Sequence, residues 1–289
     1  MFTIENQQLK VIVSPKGAEL QSIFNKTFQL EYMWNGDPAF WAKHSPVLFP
    51  IVGTLKDDTY KFGNRSYQLS RHGFAREMDF ELKDQRTDSI GFLLESNEKT
   101  LAQYPFKFEF LITYALQENQ LKTIYSVRNT GDENLFFSVG GHPAFKLPLV
   151  DRTTYDDYYL EFNKDETLPR WLISPKGLLE TKSSPLLENA RTLPLKKELF
   201  FQDAIVFKHP ASSSVSLKTK KTNHGLQFDF DGFPFLGIWA AKNADFVCIE
   251  PWCGIADSVD TDQDFTHKEG INRLEKNGRF ERSWTVRLF

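Results

Sequence analysis

Four side chains in this sequence have the type and setting for proton transfer: Glu250, His142, His72 and Asp203. Each is expected where a strand gives way to a loop. Glu250 follows an apolar run, Phe246 to Ile249, and precedes Pro251 and Trp252. Proline cannot donate a ladder hydrogen bond, so the chain is expected to leave the sheet at Pro251, with Glu250 at the strand's mouth beside an aromatic face. Gly254 then permits a tight turn. Such a setting presents a carboxylate base to a sugar-like ligand; the plainer alternative is a strand-end glutamate facing water. His72, in Arg-His-Gly, and His142, in Gly-Gly-His-Pro, adjoin glycines that let the backbone bend and a ligand approach. Either histidine alone also fits a loop residue satisfied by a carbonyl. His209, His224 and His267 lack such a context and are expected at the surface.

Other chemistries lack their motifs. No glycine-rich loop opens a helix, which argues against dinucleotide and Walker-type phosphate sites. No histidine pair stands at zinc-helix spacing, and Cys248 and Cys253 have no partner motif, so no metal is expected. No serine sits in a Gly-x-Ser-x-Gly elbow. What remains is acid–base chemistry by a carboxylate and imidazoles, with no cofactor, suited to proton transfer on a sugar.

The elements that must position these groups read as strands. Lys10–Val13 and Ala18–Phe24 flank a Ser-Pro-Lys-Gly turn, and Thr59–Leu69 turns at Phe62-Gly-Asn-Arg65. Phe108–Gln117 and Leu121–Asn129 form a hairpin, followed by strands at Leu135–Val139, Phe201–Phe207, Val215–Lys218, Leu226–Phe230, Phe235–Ala240 and Glu281–Phe289. Asp79–Leu82 and Ile90–Glu95 add two more. Asp37-Pro38 suggests one short helical turn to Lys43, and Glu98–Tyr104 a short helix ended by Pro105. Ser45–Gly53 is an apolar run bracketed by prolines, expected as an extended segment. Residues 146–200 are the least legible, with strand character only at Tyr155–Phe162. With no sustained helical period, the fold is expected to be all-β: one domain over residues 1–289, a large sandwich of antiparallel sheets.

Composition sets outer limits. The 35 Lys and Arg nearly balance 38 Asp and Glu, which removes the basic footprint of a nucleic-acid binder. No apolar run is long enough to cross a membrane, and the N-terminus lacks a signal-peptide pattern, so a cytoplasmic location is expected. Two cysteines are too few for a disulfide framework and read as buried, reduced thiols. Many of the 27 phenylalanines must fill the faces between sheets.

Five segments, in order, carry a family resemblance: Leu48-Phe-Pro-Ile-Val-Gly53, Arg71-His-Gly-Phe-Ala-Arg76, Gly140-Gly-His-Pro143, Phe235-Leu-Gly-Ile-Trp239 and Cys248-Ile-Glu-Pro-Trp252. Together the chain resembles the aldose 1-epimerase (galactose mutarotase-like) family, nearest to its LacX-like branch. The resemblance implies a galactose mutarotase-like β-supersandwich and a small-molecule sugar, a hexose or hexose phosphate, as substrate. It implies Glu250 as the base at the anomeric hydroxyl and His142 as the acid at the ring oxygen. His72 would donate to the ring oxygen or a neighbouring hydroxyl, and Asp203 would accept from sugar hydroxyls. Trp252, Phe145 or Trp239 could face the pyranose, although Trp239 is expected in the core.

Relatives of this type carry arginine ahead of Leu-Phe-Pro, where this chain has Lys43-His44. Lysine does not reproduce an arginine fork. Arg71 and Arg76 remain and could read a 6-phosphate, with an ordinary surface ion pair as the alternative for Arg76. A non-catalytic sugar-binding module is a competing reading, although pure binding needs no matched acid and base. A glycoside-processing enzyme is another; its second carboxylate is not evident. A monomer or a homodimer is expected.

Overall fold

Alternation of apolar and polar residues builds most of the molecule. In the computed structural model, which describes residues 1–289, about 50% of the chain is strand and 7% helix. Phe108–Gln117 shows the pattern: Phe108, Phe110, Ile112, Tyr114 and Leu116 are buried, and the residues between them are half-buried until Gln117. That strand pairs along its full length with Gln120–Asn129, from Phe108 opposite Asn129 to Gln117 opposite Gln120. Period-two burial holds this register, since a slip of one residue would turn every phenylalanine outward.

Fifteen strands join into one antiparallel sheet that folds over on itself. One arm contains Val47–Leu48, Val139–Gly141, Phe246–Cys253, Phe235–Trp239 and Ile205–Lys208; the other contains Leu226–Asp229, Arg279–Leu288, Gln120–Asn129, Phe108–Gln117, Ser89–Glu95 and Glu81–Gln85. Between the arms, Phe49 stacks on Phe110 at 4.5 Å and Phe145 meets Phe228 at 6.0 Å, edge to face. A four-stranded sheet at the N-terminus, from Phe2–Glu5 to Leu30–Glu31, adds Ile4, Leu9, Val11 and Ile23 to the same core. The architecture is all-β, as expected.

Several local expectations change. Pro38–Lys43 makes only a turn, in which Trp41 N–H donates to Asp37 O. The strand expected from Phe201 starts at Ile205, because Phe201–Asp203 forms a turn. Residues 146–200 hold the longest hairpin of the fold, Tyr158–Ile173 against Leu179–Pro194. Its outer part is solvated and its register shifts repeatedly, so no period-two burial marks it. The strand at Phe246 does not end at Ile249. It continues through Pro251 to Cys253, buried throughout.

Proline is tolerated there because the neighbouring strand is broken at the same level. Val139–Gly141 and Ala144–Lys146 both pair with Phe246–Cys253, and the ladder lapses between them. Ile249 N–H donates to Pro143 O. Two residues on, the Pro251 nitrogen faces that same side, into the lapse, where no acceptor is stranded.

Candidate active site

That lapse in the ladder creates the site. Gly140 lies opposite Trp252 and Ala144 opposite Cys248, so the register places His142 opposite Glu250. Cross-strand neighbours on one face approach closely. His142 Nε2 lies 3.3 Å from Glu250 Oε2, and both side chains are almost fully enclosed. Glu250 is therefore no water-facing strand end, being 1% exposed. Its Oε2 and His142 Nδ1 are buried without an aligned hydrogen-bond partner, as is the Trp252 indole N–H. Orphaned buried polar atoms are costly, and their grouping at one place marks where ligand hydroxyls would satisfy them.

Trp252 lies flat because its neighbours have no side chains. A Cβ on Gly237 would stand 2.4 Å from the indole Cζ2, and one on Gly140 would stand 2.7 Å from Cδ1. Glycine at both positions lets the ring lie across two strands.

His72 is fixed from outside the sheet. Its backbone N–H donates to Gly53 O, its carbonyl accepts from Phe49 N–H, and its Nδ1 accepts from Gly53 N–H at 3.1 Å. An accepting Nδ1 puts the proton on Nε2, so the ring is a neutral donor. Arg71 Nε–H points at that Nε2 at 3.3 Å, and since a neutral ring accepts at only one nitrogen, the shorter, backbone-fixed contact at Nδ1 is the one kept. Asp203 follows the Phe200 turn, where Arg170 holds its carbonyl and Ala204 N–H reaches its Oδ1. Arg71 Nη2 stands 3.5 Å from the same Oδ1. His72 and Asp203 both have left-handed backbone, φ 68° and 81°. Such geometry costs about 1–3 kcal/mol and persists where the surroundings impose it.

These groups line one cavity of about 450 Å³, within the size range of small-ligand pockets. Glu250, His142, His72, Asp203, Arg71, Arg76 and Trp252 all reach it. Arg76 is half-buried and donates to Arg71 O rather than joining a surface ion pair. Trp239, expected in the core, is a wall of the cavity. Phe145 is fully buried against Phe228 and faces no ligand. Lys43 pairs with Glu77 outside the cavity. His209 and His267 are exposed; His224 is half-buried against Phe28.

Three contributors had no advance signal. Trp41 stacks on His142 at 5.0 Å and meets Trp239 edge to face. The tip of the long hairpin closes the cavity with Ile173, Gly177 and Leu179, and Lys242 adds a third cation.

Burial dominates the electrostatics. It lifts the Glu250 carboxyl well above its ordinary 4.5, opposed by Arg71, reinforced by Asp203 and opposed by the Trp252 indole. Burial also drives His142 down to about 3, against a backbone contact and with help from Arg71 and Arg76. His72 falls well below 6.5 through burial, then Arg71, His142 and Arg76. Burial thus pushes both members of the facing pair towards their uncharged forms.

Comparison with known proteins agrees with this geometry. The Aldose 1-epimerase family model matches residues 1–269. Protein LacX, chromosomal, of Lactococcus lactis subsp. lactis is 33% identical over 294 residues, covering 99% of this chain and 98% of LacX. A galactose mutarotase related enzyme from Lactobacillus acidophilus superposes with TM-score 0.95 at 38% identity, covering 100% of this chain and 97% of that one. A galactose mutarotase-like protein from Lactobacillus casei gives TM-score 0.94 at 31% identity, with full coverage of both chains. The large antiparallel sheet is the galactose mutarotase-like fold, and the chain belongs to the aldose 1-epimerase family.

Proposed function

We propose that this protein is a cofactor-independent mutarotase that interconverts the α and β anomers of a hexose by ring opening and closure. One observation carries the mechanism: His142 and Glu250 face each other at 3.3 Å at the cavity, with unmet polar atoms on both. With Glu250 ionised and His142 protonated, the pair is a carboxylate base and an imidazolium acid. Sugar hydroxyls, Arg71 and the Trp252 N–H stabilise the carboxylate once water is excluded. Glu250 takes the proton of the anomeric hydroxyl as His142 protonates the ring oxygen, and the C1–O5 bond opens. After rotation about C1–C2, closure on the other face returns both protons. His72 Nε2–H and Arg71 hold an oxygen of the sugar, and Asp203 accepts from its hydroxyls. Trp252, Trp239 and Trp41 supply the apolar walls.

Hexose 6-phosphate is the second reading, favoured by three cations, Arg71, Arg76 and Lys242, around one cavity of a protein whose net charge is −3. Because the cavity draws on residues from Trp41 to Ala256, residues 1–289 act as one functional unit. The protein acts in the cytoplasm, as a monomer or homodimer, on a free sugar. No helix is long and apolar enough to cross a membrane.

Polarimetry on freshly dissolved α-glucose and α-galactose, with NMR exchange for the 6-phosphates, tests the proposal. Acceleration of one of them is expected, and Lys242→Ala should raise KM for the phosphorylated sugar alone if the second reading holds. A folded protein that binds sugars yet accelerates none would leave a binding module instead.

A further inference from the structure

Beneath the acid–base pair lies a side chain that the proposed reaction does not use. Cys248 precedes Glu250 by two residues, so both point to the same face of one strand. Its thiol is fully buried and makes no disulfide. One donor atom each from Cys248, Glu250 and His142 lies within 4.8 Å of the others. A thiol, an imidazole and a carboxylate on one point form a donor set suited to a thiophilic divalent ion such as Zn²⁺ or Cd²⁺. Tetrahedral coordination needs these atoms about 3.5 Å apart, since each bond is about 2.0–2.3 Å. The three donor atoms must close from within 4.8 Å to that spacing as the ion enters. A second observation points the same way, because Glu250 Oε2 and His142 Nδ1 are buried without partners.

We infer that Cys248, Glu250 and His142 form an inhibitory site for a thiophilic divalent metal ion, with its fourth position open to the cavity. Cys248 ligates as a thiolate and Glu250 as a carboxylate, and the protons they give up pass to solvent through the cavity. Thiolate and carboxylate together offset the charge of the divalent ion. The ion then occupies both the base and the acid, and anomer exchange stops. The site itself stands on geometry; only the inhibitory consequence rests on the mutarotase proposal.

The test is a Cd²⁺ titration of the full chain followed by the thiolate-to-metal charge-transfer band in the ultraviolet, with anomer exchange measured in parallel. One equivalent should generate the band and abolish exchange, and EDTA should reverse both. Cys253→Ser should keep the band and Cys248→Ser should lose it. His142→Ala, which retains the thiol, should weaken Cd²⁺ binding by more than about tenfold, the low end of what losing even an outer-shell partner costs. No band in the wild type, or a band that survives Cys248→Ser, overturns the site. A band without inhibition overturns only the blocking role. If no sugar is turned over at all, the mutarotase proposal fails while the absorbance titration still decides the site.

Discussion

Gly237→Ala probes the arrangement through packing rather than chemistry. The new methyl would stand 2.4 Å from Trp252 Cζ2, 2.5 Å from Cη2 and 3.1 Å from Cε2. Carbon atoms settle at about 3.5–4.0 Å, so the indole must shift by roughly 1 Å. Gly237 sits in a central strand, paired with Val206 on one side and Glu250 on the other, so its backbone cannot yield instead. Overpacking of this kind costs about 1–3 kcal/mol of stability. The displaced ring adjoins Glu250 and walls the cavity, and a 1 Å misplacement costs about 10²-fold in rate. Thermal unfolding and NMR anomer exchange read the two effects. Trp252→Phe removes the atoms that clash, so adding it to Gly237→Ala should recover at least half of the lost stability. A single Gly237→Ala variant with wild-type Tm and rate would show that Trp252 is not held where it is described.

Acid should destabilise the protein in a way that identifies its buried groups. His142 and His72 stay neutral in the fold and charge below about 6.5 once unfolded, so the unfolded state binds more protons and stability falls as pH drops from 6.5 towards 5. Glu250, raised above 4.5, works in the opposite direction over that range because the folded state holds its proton. Glu250→Gln removes the opposing contribution and should steepen the loss in denaturant titrations; an unchanged slope would contradict the upward shift of the Glu250 carboxyl. Lys268 and Asp257 form a buried pair at 2.8 Å behind the Ile255–Ala256 wall of the cavity. Lys268→Met strands that carboxylate and should cost about 3–5 kcal/mol, much of it recovered in the Asp257→Asn, Lys268→Met double variant. Trp41→Ala removes the stacked face of His142, worth about 0.5–1.5 kcal/mol, and should lower kcat up to about tenfold with little change in Tm, because Trp41 is half-exposed.

Much of the fold was legible because its strands have one wet face. Phe108–Gln117 alternates cleanly, and it and Leu121–Asn129 both fall within a residue of the observed strands. The long hairpin at 158–194 was not, since it carries Pro169 and Pro185, leaves most of Leu179–Pro194 exposed and shows no regular burial. Glu250 was found for a reason that turned out incomplete. Pro251 was expected to end the strand, but the partner strand breaks at His142-Pro143 and leaves the missing N–H no acceptor to disappoint. The same break sets His142 against Glu250, a juxtaposition that depends on pairing and cannot be read from either segment alone. Trp41 and Lys242 reach the cavity from turns without a chemical motif, so local sequence gave no reason to choose them.

The most direct measurement is NMR exchange between anomers of the accepted hexose or hexose 6-phosphate, comparing wild type with Glu250→Gln and His142→Ala. General acid and base groups contribute about 10²–10⁴-fold each, so both variants should lose at least about a hundredfold in kcat while still binding the sugar. Wild-type exchange rates in either folded variant would contradict the assignment of the facing pair as base and acid.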